Sequence, residues 1–196
     1  MQSVDFARAA GELDLEWRLK NIPASAKVRG VFFSVLNDEM QRRRLASVPE
    51  IRRFLTVPHH SYALYPATEL VEAFAIAGAL IHPDPREGMR ELFSGSIRYV
   101  TQTWYGKFFS KYLRPYDALR WIERSREYIA NYGRYRLEPR GDNDAILHKY
   151  DEYFWLDALR GGCEGMLEAC GVRGEVKIEL DSPFCGRFVI HWTDPS

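Results

Sequence analysis

Three cysteines, Cys163, Cys170 and Cys185, are the residues whose chemistry would be easiest to recognise. Cys163 and Cys170 are seven positions apart in a segment with helical periodicity, so they share one face of that helix. The face is otherwise apolar, and a buried cysteine on such a stripe usually packs as a small hydrophobic side chain. A zinc site would need a fourth ligand and deprotonated thiols. We therefore favour a structural role over metal or redox chemistry, and predict no metal ligand.

Five histidines are the other candidates for binding a metal ion or a haem: His59, His60, His82, His148 and His191. His59 and His60 are adjacent in a predicted loop, and no cysteine or carboxylate accompanies them at a spacing typical of a metal site. A haem needs only one axial histidine, which spacing alone does not exclude. A haem- or metal-dependent sensor or enzyme stays open as an alternative, although we expect no cofactor.

The motifs of several large enzyme classes are missing from the sequence. It contains neither of the nucleotide motifs G-x-x-x-x-G-K-[ST] and G-x-G-x-x-G, and it lacks H-E-x-x-H, G-x-S-x-G and C-x-x-C. We therefore predict no catalytic residue and a non-enzymatic function.

Three glycines lie close together in one predicted helix: Gly161, Gly162 and Gly165. Each costs about 1 kcal/mol relative to alanine inside a helix, so either a sheet or a ligand approaches the helix closely there. In the second case the site takes a small apolar ligand, between this helix and the long helix before it. The predicted pocket residues are Ile97, Val100, Trp104, Gly162, Cys163 and Met166.

A set of tyrosines and tryptophans could add polar tips to the wall of such a pocket, or it could belong to the core. The set is Trp104, Tyr105, Trp121, Tyr128, Tyr132 and Tyr135.

Hydrophobic periodicity predicts helices in the first two thirds of the chain and strands after them. Helical spacing predicts helices over 4–19, 27–44, 66–81, 86–112 and 116–132, and a short helix that begins at Pro49. From Gly133 onward, alternation predicts strands over 134–138, 145–150, 175–181 and 186–193, with a helix over 156–170. This order predicts an α+β fold with N-terminal helices packed on a four-stranded antiparallel sheet and β-β-α-β-β at the C-terminus.

Length and composition are those of one domain. The chain has 196 residues, of which 46% are hydrophobic, and we place a helical N-terminal extension at 1–26 before a domain at 27–196. The 27 basic and 27 acidic residues cancel, which argues against a nucleic-acid surface. No segment approaches the roughly 18 apolar residues of a membrane span, and the N-terminus lacks the layout of a signal peptide. These features predict a cytoplasmic location.

Several short segments resemble a large paralogous family of uncharacterised myxobacterial proteins. They are Leu15-Glu16-Trp17-Arg18-Leu19, Pro23, Val28-Arg29-Gly30-Val31-Phe32-Phe33, Tyr65-Pro66, Gly162 with Gly165, and Phe188-Val189-Ile190-His191-Trp192. That family is in turn similar to the superfamily of vinyl-reductase-like small-molecule-binding domains, TRAPP transport subunits and haem–nitric-oxide-binding domains. The resemblance implies the same helices-on-sheet fold, and binding of a small hydrophobic ligand, a haem or a partner subunit. The haem branch carries a Tyr-x-Ser-x-Arg signature, which this sequence lacks.

We expect a non-enzymatic module that senses a small apolar ligand or binds a partner. The second hypothesis is a TRAPP-like homodimeric scaffold, joined through N-terminal helices such as 27–44. The third is the haem- or metal-dependent sensor or enzyme.

Overall fold

The computed structural model describes residues 6–102 and 113–193, with the backbone alone for residues 99–102. The described part is an α+β fold with eight helices and a four-stranded antiparallel sheet, as predicted. None of its helices is both long and apolar enough to cross a membrane.

Two short helices replace the single helix predicted over 4–19. Helix α1 spans Phe6–Glu12 and helix α2 spans Leu15–Asn21. Asp14 separates them with φ of 49°, a left-handed conformation that aspartate tolerates better than most residues. The buried side chains of Leu13 and Ile22 join the main core, so this segment packs on the rest of the chain.

The helix predicted over 27–44 begins later, because its first residues form a strand. Strand β1 spans Lys27–Arg29, helix α3 spans Val31–Arg42, and β1 pairs antiparallel with strand β2, Leu64–Pro66. Gly30 makes the turn between β1 and α3. A Cβ atom there would lie 2.4 Å from the carbonyl oxygen of His60, so the loop before β2 requires a glycine at this position.

The remaining helices fall close to the predicted positions. They are α4 at Pro49–Leu55, α5 at Ala67–Ile81, α6 at Pro85–Gln102, α7 at Pro115–Ile129 and α8 at Leu156–Ala169. The predicted continuation of α6 to residue 112 lies outside the described residues. Helix α7 ends three residues before the predicted end at Tyr132, and the positive φ of 75° follows at Gly133.

The four-stranded sheet has the strand order β3-β4-β6-β5. Its strands are β3 at Arg134–Pro139, β4 at Asp144–Tyr150, β5 at Arg173–Ser182 and β6 at Cys185–Thr193. Alternate residues of the central strands are buried on the face that α8 covers. The opposite face is mostly polar and carries the ion pairs His148–Glu138 and Arg187–Glu179.

The buried side chains form two clusters. One fills the space between helices α2 to α6 and contains Phe33, Phe74 and Trp155. The other lies between α7, α8 and the sheet, and contains Cys163 and Phe188. The two clusters meet along α8, where the side chain of Leu159 packs against both.

Candidate functional site

A partly open cavity of about 200 Å³ lies between the two core clusters. Helices α3, α6, α7 and α8 and the covered face of the sheet all contribute to its wall. The wall takes Val28, Leu70 and Phe154 from the first cluster and Cys163 from the second. Dense packing usually leaves few voids larger than a water molecule in a core, so a cavity of this size is a candidate binding site.

Four of the six predicted pocket residues, Ile97, Gly162, Cys163 and Met166, lie in this wall. The side chain of Val100 and all of Trp104 lie outside the described residues. That these residues bind a ligand stays a prediction.

The set of tyrosines and tryptophans is divided by the structure. Trp121, Tyr132 and Tyr135 line the cavity. The side chain of Trp121 is also 57% exposed, so it lies at the edge of the cavity. Tyr128 is 74% exposed and is not part of the wall. Tyr105, like Trp104, lies outside the described residues.

The glycines of α8 bring two helices together, rather than a helix and the sheet. A Cβ atom on Gly161 would lie 2.1 Å from the carbonyl oxygen of Arg90 on α6. One on Gly162 would lie 2.6 Å from the ring of Phe93, which is itself part of the cavity wall. Helix α8 therefore packs closely against the backbone of α6 at Gly161 and borders the cavity at the neighbouring Gly162.

Phenylalanine rings form the apolar end of the cavity. Phe93 contacts Phe32 with ring centroids 5.7 Å apart and Phe154 with centroids 6.1 Å apart. Phe154 also packs edge-on against Phe74 at 4.7 Å. Such offset and edge-to-face contacts hold rings in fixed positions, so this end has a defined shape.

The other end of the cavity carries a buried ion pair. Nη2 of Arg126 lies 3.1 Å from Oε2 of Glu152, and both side chains are almost fully buried. Glu152 also accepts a hydrogen bond from the hydroxyl of Tyr135 at 2.5 Å and one from the backbone N–H of Phe154 at 2.8 Å. Burial acts to lower the pKa of Arg126, but Glu152, Tyr135 and Tyr132 together outweigh it and raise the pKa above its usual value. The guanidinium of Arg126 therefore stays charged.

Lys149 is the second buried cation at this end. It is 1% exposed, and within the described part of the chain its Nζ has no hydrogen-bond partner. The Nζ lies 3.6 Å from the ring centroid of Tyr135 and 4.5 Å from that of Phe188, as cation–π contacts. Burial lowers the pKa of Lys149 from 10.5 to about 8, although Cys163 and Glu152 act in the opposite direction. The ammonium form therefore predominates at neutral pH.

The thiol and the phenols of the wall are held in their neutral forms. Burial raises the pKa of Cys163 to about 11, and that of Tyr132 and Tyr135 above their usual value. A neutral thiol is a poor nucleophile and a poor metal ligand, so Cys163 contributes packing. Among the described residues, no group of three or more His, Cys, Asp or Glu side chains is arranged to hold a metal ion.

Sequence reasoning missed Arg126, Lys149 and Glu152. Arg126 follows Leu119 and Ile122 at helical spacing, so its place on an apolar stripe was a usable signal. Lys149 alternates with Ala145 and Leu147 in β4, but the other face of that strand contains Ile146 as well as polar residues and gives no clear contrast. Glu152 lies beyond the end of β4, in a segment without periodicity.

None of the five histidines lines the cavity. His148 and His191 lie on the opposite face of the sheet, where His148 contacts Glu138 at 3.2 Å and His191 contacts Asp144 at 2.8 Å. His59 stacks on Phe33 at 3.8 Å between ring centroids. His60 and His82 are loop residues.

Comparison with family models matches residues 22–193 to the family described as "Protein of unknown function (DUF2378)". The chain belongs to this family. The match covers every buried residue of the two core clusters except Leu13, and every described residue of the cavity wall. No curated protein matches the DUF2378 chain. A myxobacterial origin and the similarity to TRAPP subunits and vinyl-reductase-like domains stay predictions.

Solved structures similar to the DUF2378 chain include H-NOX proteins. The unliganded Fe(II) H-NOX protein from K. algicida is 12% identical with a TM-score of 0.65, over 85% of this chain and 97% of that one. The H-NOX protein from S. oneidensis in the Fe(II)NO state is 12% identical with a TM-score of 0.66, over 85% and 99%. A mutant of T. tengcongensis H-NOX is 13% identical with a TM-score of 0.65, over 85% and 98%. The DUF2378 chain therefore has an H-NOX-like fold.

Proposed function

We propose that this protein is a ligand-sensing module that binds a small, mostly apolar molecule in the cavity between α3, α6, α7, α8 and the sheet. The observation that carries the proposal is the cavity itself, which has a mostly apolar wall and a few buried charged side chains. Natural small-molecule sites typically combine an apolar wall with a few polar groups. The similar fold of H-NOX proteins, one of them solved in an Fe(II)NO state, supports a sensing role.

The volume of the cavity limits the size of the ligand. An apolar cavity of about 150 Å³ in another protein binds benzene. A cavity of about 200 Å³ therefore suits one aromatic ring with a short substituent, or an aliphatic chain of similar volume.

The residues of the cavity do not fit a haem, which the H-NOX structures suggest as a ligand. The cavity is smaller than the roughly 300–1,000 Å³ of sites for drug-sized ligands. Haem iron is held by histidine, or by a cysteine thiolate or a tyrosine. No histidine lines the wall. The raised pKa values of Cys163, Tyr132 and Tyr135 keep these side chains protonated at neutral pH.

Helix α7 is the element best placed to respond to a ligand. Trp121, Ile122 and Ile129 of α7 face the cavity, and Arg126 connects the helix to Glu152. The apolar contacts of α7 are with β3, β4 and α8, and its polar face is exposed. A ligand that fills the cavity therefore changes what α7 packs against. If the ligand binds more tightly when α7 takes one position than when it takes another, binding shifts the helix toward the first.

Isothermal titration calorimetry with indole, a neutral ring of suitable size, tests the proposal. We expect saturable binding with one site per chain. Val35 lines the cavity, so Val35→Phe fills part of it and should abolish binding. Val57 is 53% exposed and outside the wall, which makes Val57→Phe the matched control that should bind as the wild type does.

Equal indole binding by the wild type and by Val35→Phe would contradict the cavity as the binding site. Absence of binding to benzene, indole and naphthalene alike would contradict the proposed function.

The homodimeric scaffold has weaker support. The apolar stripe of 27–44 was to form the dimer contact, but Val28 and Met40 are buried within the chain, and Phe32 and Val35 line the cavity. The stripe is thus covered by the protein's own core. Partner binding elsewhere on the surface and a cytoplasmic location stay predictions.

A further inference from the structure

Lys149 is a charged residue in a position that normally holds an apolar one. It lies on β4, in line with the buried Ala145 and Leu147, on the sheet face that α8 covers. Burying an ammonium group without a hydrogen-bonding partner is unfavourable by several kcal/mol. A wall residue of this kind has its donors available to whatever occupies the cavity.

The charges at this end of the cavity do not balance. Arg126 and Glu152 neutralise each other across 3.1 Å. Lys149 adds one positive charge, and the aromatic contacts with Tyr135 and Phe188 compensate it only in part. One negative charge next to Nζ would complete the balance.

The two serine hydroxyls of the wall already have partners, whereas Nε of Arg126 is, among the described residues, a second buried donor without one. The hydroxyl of Ser125 donates to the carbonyl oxygen of Ile122 at 3.1 Å, and that of Ser96 donates to the carbonyl oxygen of Leu92 at 2.9 Å. The unpaired groups at Nζ and Nε are both donors, and a water molecule would bring two further donors of its own to this wall. An acceptor attached to an apolar ligand fits this wall better.

We propose that the ligand of this cavity is a small monocarboxylate with an apolar tail, whose carboxylate accepts a hydrogen bond from Nζ of Lys149 while the tail packs against the phenylalanine rings. This inference rests on the proposed function. A carboxylate carries the single charge that the site lacks, and a charge-assisted hydrogen bond is among the strongest that proteins make. A phosphate, with up to two charges and three strong acceptor oxygens, would leave charge and acceptors unpaired here.

The protonation of Lys149 predicts how binding depends on pH. The groups that face it are Arg126 from α7, Tyr135 from β3, Cys163 from α8 and Glu152 after β4. With a pKa of about 8, the free protein loses the ammonium charge as the pH rises above 8. The affinity for a carboxylate should then fall, whereas the affinity for a neutral ligand should not.

The test is calorimetry at pH 7 with two probes that share a skeleton, 3-phenylpropanoate and 3-phenylpropan-1-ol. We expect the acid to bind roughly tenfold to hundredfold tighter, the range for a hydrogen bond to a charged group. Lys149→Met keeps approximately the length of the side chain and removes its charge. It should therefore abolish the preference for the acid and leave the affinity for the alcohol unchanged. Lys177→Met, at an exposed position of β5, is the control that should keep the preference.

The two proposals fail in different ways. Equal binding of acid and alcohol to the wild type, or an acid preference that survives in Lys149→Met, would overturn the inference and leave the cavity as a binding site. An acid preference that persists unchanged from pH 7 to pH 9.5 in the wild type would overturn it as well. Failure of both probes to bind would count against the proposed function itself.

Discussion

Lys149 gives the candidate site its chemical character, and its burial makes the ligand-free protein less stable. The pKa near 8 shows that the fold disfavours the charged form of this side chain. Arg126, in contrast, has a carboxylate within 3.1 Å. Stability and binding therefore make opposite demands on Lys149, which is common at functional sites.

Lys149→Met should make the ligand-free protein more stable by about 1–3 kcal/mol at pH 7, since it removes a buried, unpaired charge. The advantage should shrink by about 1 kcal/mol at pH 9. Between pH 8 and pH 10.5 the unfolded chain holds a proton on this lysine that the folded wild type has released, so the wild type gains stability as the pH rises. Urea denaturation at both pH values measures the difference.

Lys177→Met serves as the control, because Lys177 is exposed and its effect should be the same at both pH values. A Lys149→Met protein that is less stable than the wild type at pH 7 would contradict a charged, unpaired Nζ in the core.

Individual cavity residues were predictable from the sequence where they were apolar and fell on the apolar stripe of a helix. Ile97, Cys163 and Met166 are apolar residues on helical stripes, and they were placed near the cavity for that reason. Lys149 and Glu152 were not predictable, because a polar residue in a strand or loop is normally exposed. Only the paired strands and the covering helix show which side of β4 faces inward.

Among the elements, the contact of α6 with α8 does most to define the cavity. The two helices approach so closely that the backbone of α6 leaves no room for a side chain at Gly161. The same approach places Phe93 and Ile97 of α6 beside Gly162 of α8. Glycine in the middle of this helix is unfavourable by about 1 kcal/mol relative to alanine, and the contact with α6 offsets that cost.

Gly161→Ala should destabilise the protein by at least about 2 kcal/mol, because the new methyl group would lie 2.1 Å from a backbone carbonyl oxygen that cannot move freely. Gly11 is the matched control: it is also helical, and a Cβ atom there meets no described atom within 4 Å. Gly11→Ala should therefore be neutral or stabilising by up to about 1 kcal/mol. Thermal denaturation of both variants measures the effect, and a neutral Gly161→Ala would show that the helices are farther apart.

The C-terminal elements were predictable because their periods are local. The alternation in β5 and β6 and the change of period at Gly133 each appear within a few residues. Strands β1 and β2 were not predictable, since each has three residues and the pairing of Val28 with Tyr65 is non-local. Val28 of β1 also continued the helical pattern of α3, so the helix was predicted to begin at residue 27 instead of Val31.

At the scale of the whole molecule, the cavity forms only when distant parts of the chain pack together. Its wall combines residues from β1 to α8, and it lies where two separately packed clusters meet. The N-terminal helices are tied to the same assembly: the guanidinium of Arg18 donates to the carbonyl oxygen of Tyr153 at 3.1 Å and lies 4.3 Å from the ring centroid of Trp155. A local sequence pattern cannot show a void of this kind. The sequence therefore predicted which two helices approach each other, but it did not predict the charged residues of the site.

The most direct test of ligand binding in this cavity is methyl NMR during a titration with indole. We expect chemical-shift changes at Ile97 and Met166, which line the cavity, and none at Ile146 and Val189, which lie on the opposite face of the sheet. This result would place the ligand between the two core clusters. Shifts confined to Ile146 and Val189, or no shifts at a saturating concentration of indole, would contradict a ligand-binding cavity.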